Sequence, residues 1–193
     1  MSRNIIFVDG SVGVGKTTFI NILQQAFKTT LECHCNSRGH RPNVEVLPEP
    51  LHREWTSQIC DLITYPTLLQ FLLARKKVAI ESWSNKIASD GLQELEHNVL
   101  IVERSPGGDR RVREGFTEFW GGLNPIYSGE NIHNVLVQRA TQEEWDVEQK
   151  RLNDSMLILE KYAGNSCCRV IRPKHISEYY KDAAYVVHKV LKL

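Results

Sequence analysis

The sequence predicts an α/β fold: a mostly parallel central sheet of about five strands with helices on both faces, three layers in all. Three observations predict it. Short apolar runs alternate along the chain with longer stretches of helical periodicity, the order that builds a parallel sheet through helical crossovers. One run, Asn98-Val99-Leu100-Ile101-Val102, stays apolar through its centre, as a strand covered on both faces does. A glycine-rich loop separates the first apolar run from the first helical stretch. The 193 residues suit one domain, residues 1–193, with a full hydrophobic core.

The elements follow in order. Asn4-Ile5-Ile6-Phe7-Val8 reads as the first strand, and 18–27 as a helix carrying Phe19, Ile20, Ile22, Leu23 and Phe27. The polar stretch 29–42 reads as a loop, 43–48 as the second strand and 51–57 as a short helix. In 65–84, Leu68, Leu69, Leu72, Leu73 and Ile80 are spaced for one buried stripe of a helix. After the strand at 98–102, the Gly- and Arg-rich segment 105–122 has no clear period. A fourth strand is expected near 123–127, although Asn124 and Pro125 interrupt it. Residues 131–162 read as largely helical, 168–171 as the last strand and 176–191 as a closing helix.

Bulk properties narrow the function classes. A net charge of +1 gives no strong attraction to nucleic acid or to a membrane surface. No apolar run reaches the length of a membrane span. The first strand begins within four residues of the start, which leaves no room for a signal peptide. Five cysteines in no scaffold-like pattern point to a reducing, cytoplasmic setting. Cys33-His34-Cys35 with His40, and the pair Cys167-Cys168, hold soft ligands, but their spacing matches no zinc template well.

The loop carries the chemistry. Gly10-Ser11-Val12-Gly13-Val14-Gly15-Lys16-Thr17 fits G-x-x-x-x-G-K-[ST], with Thr18 following, and lies between a strand and a helix as the motif requires. Glycines let backbone N–H groups turn inward onto an anion with no Cβ in the way. The following helix N-terminus adds its dipole. In such a loop Lys16 reaches the β- and γ-phosphates of ATP, and Thr17 offers its hydroxyl to Mg²⁺.

Two later clusters bear on what receives the phosphate. Leu47-Pro48-Glu49-Pro50 ends the second strand, with Trp55 six residues past Glu49, and Ile101-Val102-Glu103-Arg104-Ser105 ends the third. Ligands of open parallel sheets bind outside those strand ends, so both clusters face the crevice of the glycine loop. The combination resembles the deoxynucleoside kinase family, which has this loop, a strand ending in Glu-Pro, a later Trp, a helix carrying a Gln, and Glu-Arg-Ser, in that order. The resemblance runs from about Asn4 to Ser105 and resumes near Ser128.

That resemblance implies roles. Glu49 is the general base for the substrate 5′-hydroxyl, with Arg104 steadying it and the developing charge. Glu103 helps hold Mg²⁺ opposite Thr17. Gln70 pairs with the base, its amide supplying both donor and acceptor. Trp55, one residue farther from the Glu than in the family, walls the base. Asp109 aligns with an acid that favours an amino-bearing base, although the neighbouring Pro106-Gly107-Gly108 departs from the family.

Residues 138–144 resemble the family's arginine-rich lid. Arg139 matches one lid arginine, and Glu144 matches the acid that binds the sugar 3′-hydroxyl. Other lid arginines fall on Val135, Val137 and Thr141, which implies a slower enzyme unless Arg110, Arg111 or Arg113 fills the gap. Only 22 residues separate Ser105 from Ser128, where the family has a long helix that often contributes to a homodimer interface. Compact members of this kind occur in large DNA viruses. The expectation is an ATP- and Mg²⁺-dependent kinase acting on a deoxynucleoside, with a pyrimidine base favoured. A thymidylate kinase-like nucleoside-monophosphate kinase and a non-catalytic nucleotide-binding protein stay open beside it.

Overall fold

A computed structural model describes residues 2–10, 14–35, 43–49, 65–89, 97–104, 131–138, 167–171 and 175–192. They form β1 (Ser2–Gly10), α1 (Lys16–Cys35), β2 (Asn43–Leu47), α2 (Tyr65–Ser89), β3 (His97–Glu103), β4 (Asn131–Gln138), β5 (Cys167–Ile171) and α3 (Glu178–Leu191). The five strands make one sheet in the order β2-β3-β1-β4-β5. Every neighbouring pair is parallel, with Ile5 opposite Leu100 of β3 and Ile132 of β4.

Alternation along the strands explains the three layers. Ile6 and Val8 of β1, Val99 and Ile101 of β3, and Val135 and Val137 of β4 point to one face. There they meet Phe19, Leu23, Phe27 and Leu31 of α1 and Ala183, Val186, Val187 and Val190 of α3. Ile5, Phe7, Leu100, Val102 and Ile132 point to the other face and meet Ile80, Trp83 and Ile87 of α2. The opposed helices follow from the connections. The chain leaves β1 outward to β2 and returns inward to β3, and right-handed crossovers in opposite directions lie on opposite faces. The predicted α/β three-layer sandwich with five strands is the observed fold.

Several boundaries differ from expectation. Residues 29–35, expected in a loop, continue α1, because Leu31 extends the stripe of Leu23 and Phe27 and is fully buried. The segment 131–138, expected as helix, is β4. Ile132, Val135 and Leu136 fall at the i, i+3, i+4 spacing of a helix, yet the side chains divide between the two faces of the sheet. The fourth strand is therefore here, and 123–127 lies outside the described residues. So do the expected short helix at 51–57 and the remainder of 131–162. Among the described residues no helix is long and apolar enough to cross a membrane.

Candidate active site

Strand order reverses at β1, which has β3 on one side and β4 on the other. The crevice of such a sheet opens beyond the strands' carboxyl ends at that reversal. β1 ends there in Gly10, and α1 begins with Lys16 and Thr17.

The loop between them needs its glycines. Gly10 has φ +150°, and a methyl there would press into the carbonyl oxygen of Val137 and come within 2.9 Å of Val14 Cγ1. Gly15 has φ +100°, and a methyl there would come within 2.9 Å of Tyr179 Oη. L-residues rarely adopt either conformation, so strain and steric exclusion act together. The Phe19 N–H donates to the Gly15 carbonyl at 3.0 Å and starts the α1 ladder directly behind the loop. Ser11, Val12 and Gly13 lie outside the described residues.

Lys16 is 6% exposed. Burial lowers its pKa below the usual lysine value, and the Arg104 guanidinium lowers it further. Glu49, Glu103 and the buried Asp9 act the other way. The loop thus holds a desolvated cation, for which an incoming phosphate would be a favourable neighbour.

Glu103, at the end of β3, ties the two sides of the crevice together. Its Oε1 accepts from the Thr17 hydroxyl at 3.0 Å, and its Oε2 accepts from the Glu49 backbone N–H at 3.3 Å. Two hard oxygens at that spacing suit neighbouring ligands of octahedral Mg²⁺, whose bonds of about 2.1 Å put adjacent ligands about 3.0 Å apart. Thr17 and Glu103 can therefore hold the ion that the loop motif implies.

Arg104 donates from Nε to Glu49 Oε2 at 2.7 Å. A charge-assisted contact this short, between side chains only 16% and 26% exposed, fixes the carboxylate's orientation. Arg104 reaches it from a left-handed backbone, φ 63°, with its N–H donating to the Val8 carbonyl at 2.9 Å. This is an uncommon conformation for a residue with a side chain, and such outliers concentrate at functional sites.

The structure brings Lys16, Thr17, Glu49, Glu103 and Arg104 together, from the carboxyl ends of β2 and β3 and the start of α1. Gln70 lies on α2. Trp55, Asp109, Arg139 and Glu144 lie outside the described residues, as do Arg110, Arg111, Arg113 and Thr141. Val135 and Val137 are core residues of β4, and residues 139–144 of the lid-like segment lie outside the described residues. Cys33 is exposed on α1 and Cys168 buried on β5, and no metal-binding cluster of His, Cys, Asp or Glu occurs among the described residues.

Three residues at the site were not anticipated. Asp9 supplies buried negative charge near Lys16. Tyr179 of α3 stacks at a tilt on Phe19, with centroids 5.3 Å apart, and makes a long 3.5 Å hydrogen bond to the Val14 carbonyl. Its signal was a tyrosine opening the buried stripe of Ala183, Val186, Val187 and Val190. Lys76 of α2 donates from Nζ to the carbonyls of Glu103 and Arg104 at 2.7 and 3.1 Å.

The sequence matches no family model and no curated protein. Among solved structures, the fold is similar over 100% of both chains to thymidylate kinase from Ehrlichia chaffeensis, with 17% identity and a TM-score of 0.50. A gluconokinase from Sinorhizobium meliloti matches at 12% identity and a TM-score of 0.37, over 98% of this chain and 94% of that one. With a parallel sheet, helices on both faces and the glycine loop at the end of β1, the chain has the P-loop kinase fold.

Proposed function

We propose that this protein is an ATP- and Mg²⁺-dependent deoxynucleoside kinase. It transfers the γ-phosphoryl group of ATP to the 5′-hydroxyl of a deoxynucleoside, with thymidine or deoxycytidine favoured. The observation that carries the reading is the Glu49–Arg104 pair at 2.7 Å beside Lys16 and Thr17. An alcohol must lose a proton as it attacks phosphorus, and a fixed carboxylate next to a phosphate loop is suited to take it. A phosphate acceptor needs no such base. It needs cations, and the Nε of Arg104 is already engaged by Glu49.

In this reading Lys16 and the loop amides of residues 10–18 bind the β- and γ-phosphates. Thr17 and Glu103 hold Mg²⁺, which neutralises charge as the phosphoryl group moves. Glu49 accepts the 5′-hydroxyl proton while the hydroxyl oxygen bonds to the γ-phosphorus and the bond to the β–γ bridging oxygen breaks, releasing ADP. Arg104 keeps Glu49 oriented, and Arg139 stabilises the moving group. Gln70 and Trp55 receive the base, Asp109 bears on its amino group, and Glu144 takes the 3′-hydroxyl. Further proposals are a cytoplasmic setting, action as a single domain, and a homodimer with neither nucleic acid nor membrane as partner.

A second reading, a nucleoside-monophosphate kinase, is favoured by the full-length likeness to a thymidylate kinase fold. One assay separates the two: transfer from labelled ATP to thymidine, deoxycytidine, deoxyguanosine and thymidine monophosphate in parallel, with Glu49→Gln beside wild type. Transfer to a nucleoside, falling about 10²- to 10⁴-fold in Glu49→Gln, is the expected result. Transfer to the monophosphate alone moves the assignment to the second reading. ATP binding without transfer to any acceptor leaves a non-catalytic nucleotide-binding protein.

A further inference from the structure

Helix α2 buries one stripe. Ile80, Trp83 and Ile87 pack on Phe7, Leu100 and Val102 of the sheet. One turn before Ile80 on the same stripe, where an apolar residue would continue the pattern, stands Lys76. A lysine tolerates such a place when its stem covers apolar surface and its ammonium finds acceptors. Here its acceptors include two consecutive main-chain carbonyls, Glu103 at 2.7 Å and Arg104 at 3.1 Å.

Those carbonyls lie where β3 stops. The last rung toward β1 is the Arg104 N–H on the Val8 carbonyl. Beyond it the chain turns through the left-handed conformation of Arg104, φ 63°. A non-glycine residue stays there only when its surroundings over-determine it. The Arg104 backbone is held at both ends: its N–H by Val8 and its carbonyl by Lys76. This turn aims the Arg104 side chain back at Glu49 Oε2.

We infer that Lys76 is a positioning residue: its ammonium clamps the end of β3 in the turn that presents Arg104 to Glu49 and Glu103 to Thr17. It acts through the backbone of its neighbours. The clamp also ties the pair to α2, on which Gln70 lies six residues earlier, about 9 Å along the axis at 1.5 Å per residue. In the kinase reading, on which this role in catalysis rests, the helix proposed to sense the base is thereby braced against the residues proposed to do the chemistry.

The test has two readouts. The first needs no activity: solvent exchange of the Arg104 Nε–H by ¹⁵N NMR, the signal assigned by its loss in Arg104→Lys. In wild type it is protected by Glu49. In Lys76→Met the protection falls to that of a free arginine, and Lys76→Arg restores it. The second is kinetic. Lys76→Met lowers kcat about 10- to 100-fold, the scale of a misplaced catalytic group, leaves KM for ATP unchanged, and recovers in Lys76→Arg. Should Lys76→Met not fold, Lys76→Gln takes its place in both. Unchanged Arg104 Nε–H protection in the folded variant overturns the inference, whatever the enzyme's activity. A wild type that transfers phosphate to no acceptor overturns the kinase reading instead, and the exchange measurement still decides for or against the clamp.

Discussion

In the proposed kinase reading the crevice has a phosphate-donor side and an acceptor side, and the two are built differently. The donor side, from Gly10 through Lys16 to Thr18, is one stretch of sequence, and its demands are met by backbone: two glycines at positive φ and the first turn of α1. The acceptor side has no such local unit. Glu49 comes from the end of β2, Glu103 and Arg104 from the end of β3, and Lys76 from α2 on the opposite face from α1. One side is encoded by a motif and the other by strand order and register. Glu103, hydrogen-bonded to Thr17 and to the Glu49 backbone, is the link between them.

The difference predicts how each side fails. The largest effect belongs to the donor side. Lys16→Met removes the buried cation, and transfer should fall by roughly 10³-fold or more, as when charge stabilisation at a transition state is lost. Titration with ATP should show weaker binding, while nucleoside binding is unchanged. An unaltered ATP affinity would break the division into two sides. Glu49→Gln is its counterpart, expected to keep ATP affinity and lose transfer.

Gly15→Ala comes next. The new methyl meets Tyr179 Oη and forces a side chain onto φ +100°. Strain of this kind costs about 1–3 kcal/mol, borne at the loop, so a loss of roughly 5- to 150-fold in ATP affinity is expected with the fold intact by circular dichroism. Tyr179→Phe removes the oxygen and should return part of that loss in the double variant. No recovery would mean that α3 merely packs behind the loop without shaping it.

On the acceptor side the strained backbone can be weighed directly. Arg104 is left-handed, so Arg104→Gly should be more stable to urea than Arg104→Ala by about 1 kcal/mol, the reverse of the usual order. Both lose the contact to Glu49 and with it transfer. If alanine were the more stable, φ 63° would hold no strain, and the clamp by Lys76 would have nothing to oppose.

What the sequence made legible follows the same division. The loop could be read residue by residue because its spacing is its geometry. Glu49, Glu103 and Arg104 could be singled out because each follows or ends a strand-like run, and parallel strands gather their ends at one edge. Lys76 was not found, because a lysine on a leucine-bearing helix looks solvated until the strand end beside it is known. Tyr179 lies 164 residues beyond Gly15, so nothing local announces their contact. β4 was misread for a physical reason: Ile132, Val135 and Leu136 repeat at helical spacing, and only pairing with β1 and β5 decides for extended chain.

The smallest predicted effect is a control on the whole comparison. His133 of β4 contacts Asn4 Oδ1 at 3.3 Å, away from the crevice. With that carbonyl oxygen as acceptor, Nε2 carries the proton. Burial lowers its pKa below 6.5, and Lys189 and Lys192 of the C-terminal segment push the same way. The sign follows from proton counting. As pH falls through 6.5, the unfolded chain takes up a proton that the folded imidazole still refuses, so stability declines; it recovers as pH rises back through the same window. His133→Gln should flatten that slope in urea unfolding and leave ATP affinity unchanged at each pH. A change in ATP affinity would mean that the far end of the sheet reports to the phosphate loop, possible only if β4, whose Val137 carbonyl abuts Gly10, shifts as a unit.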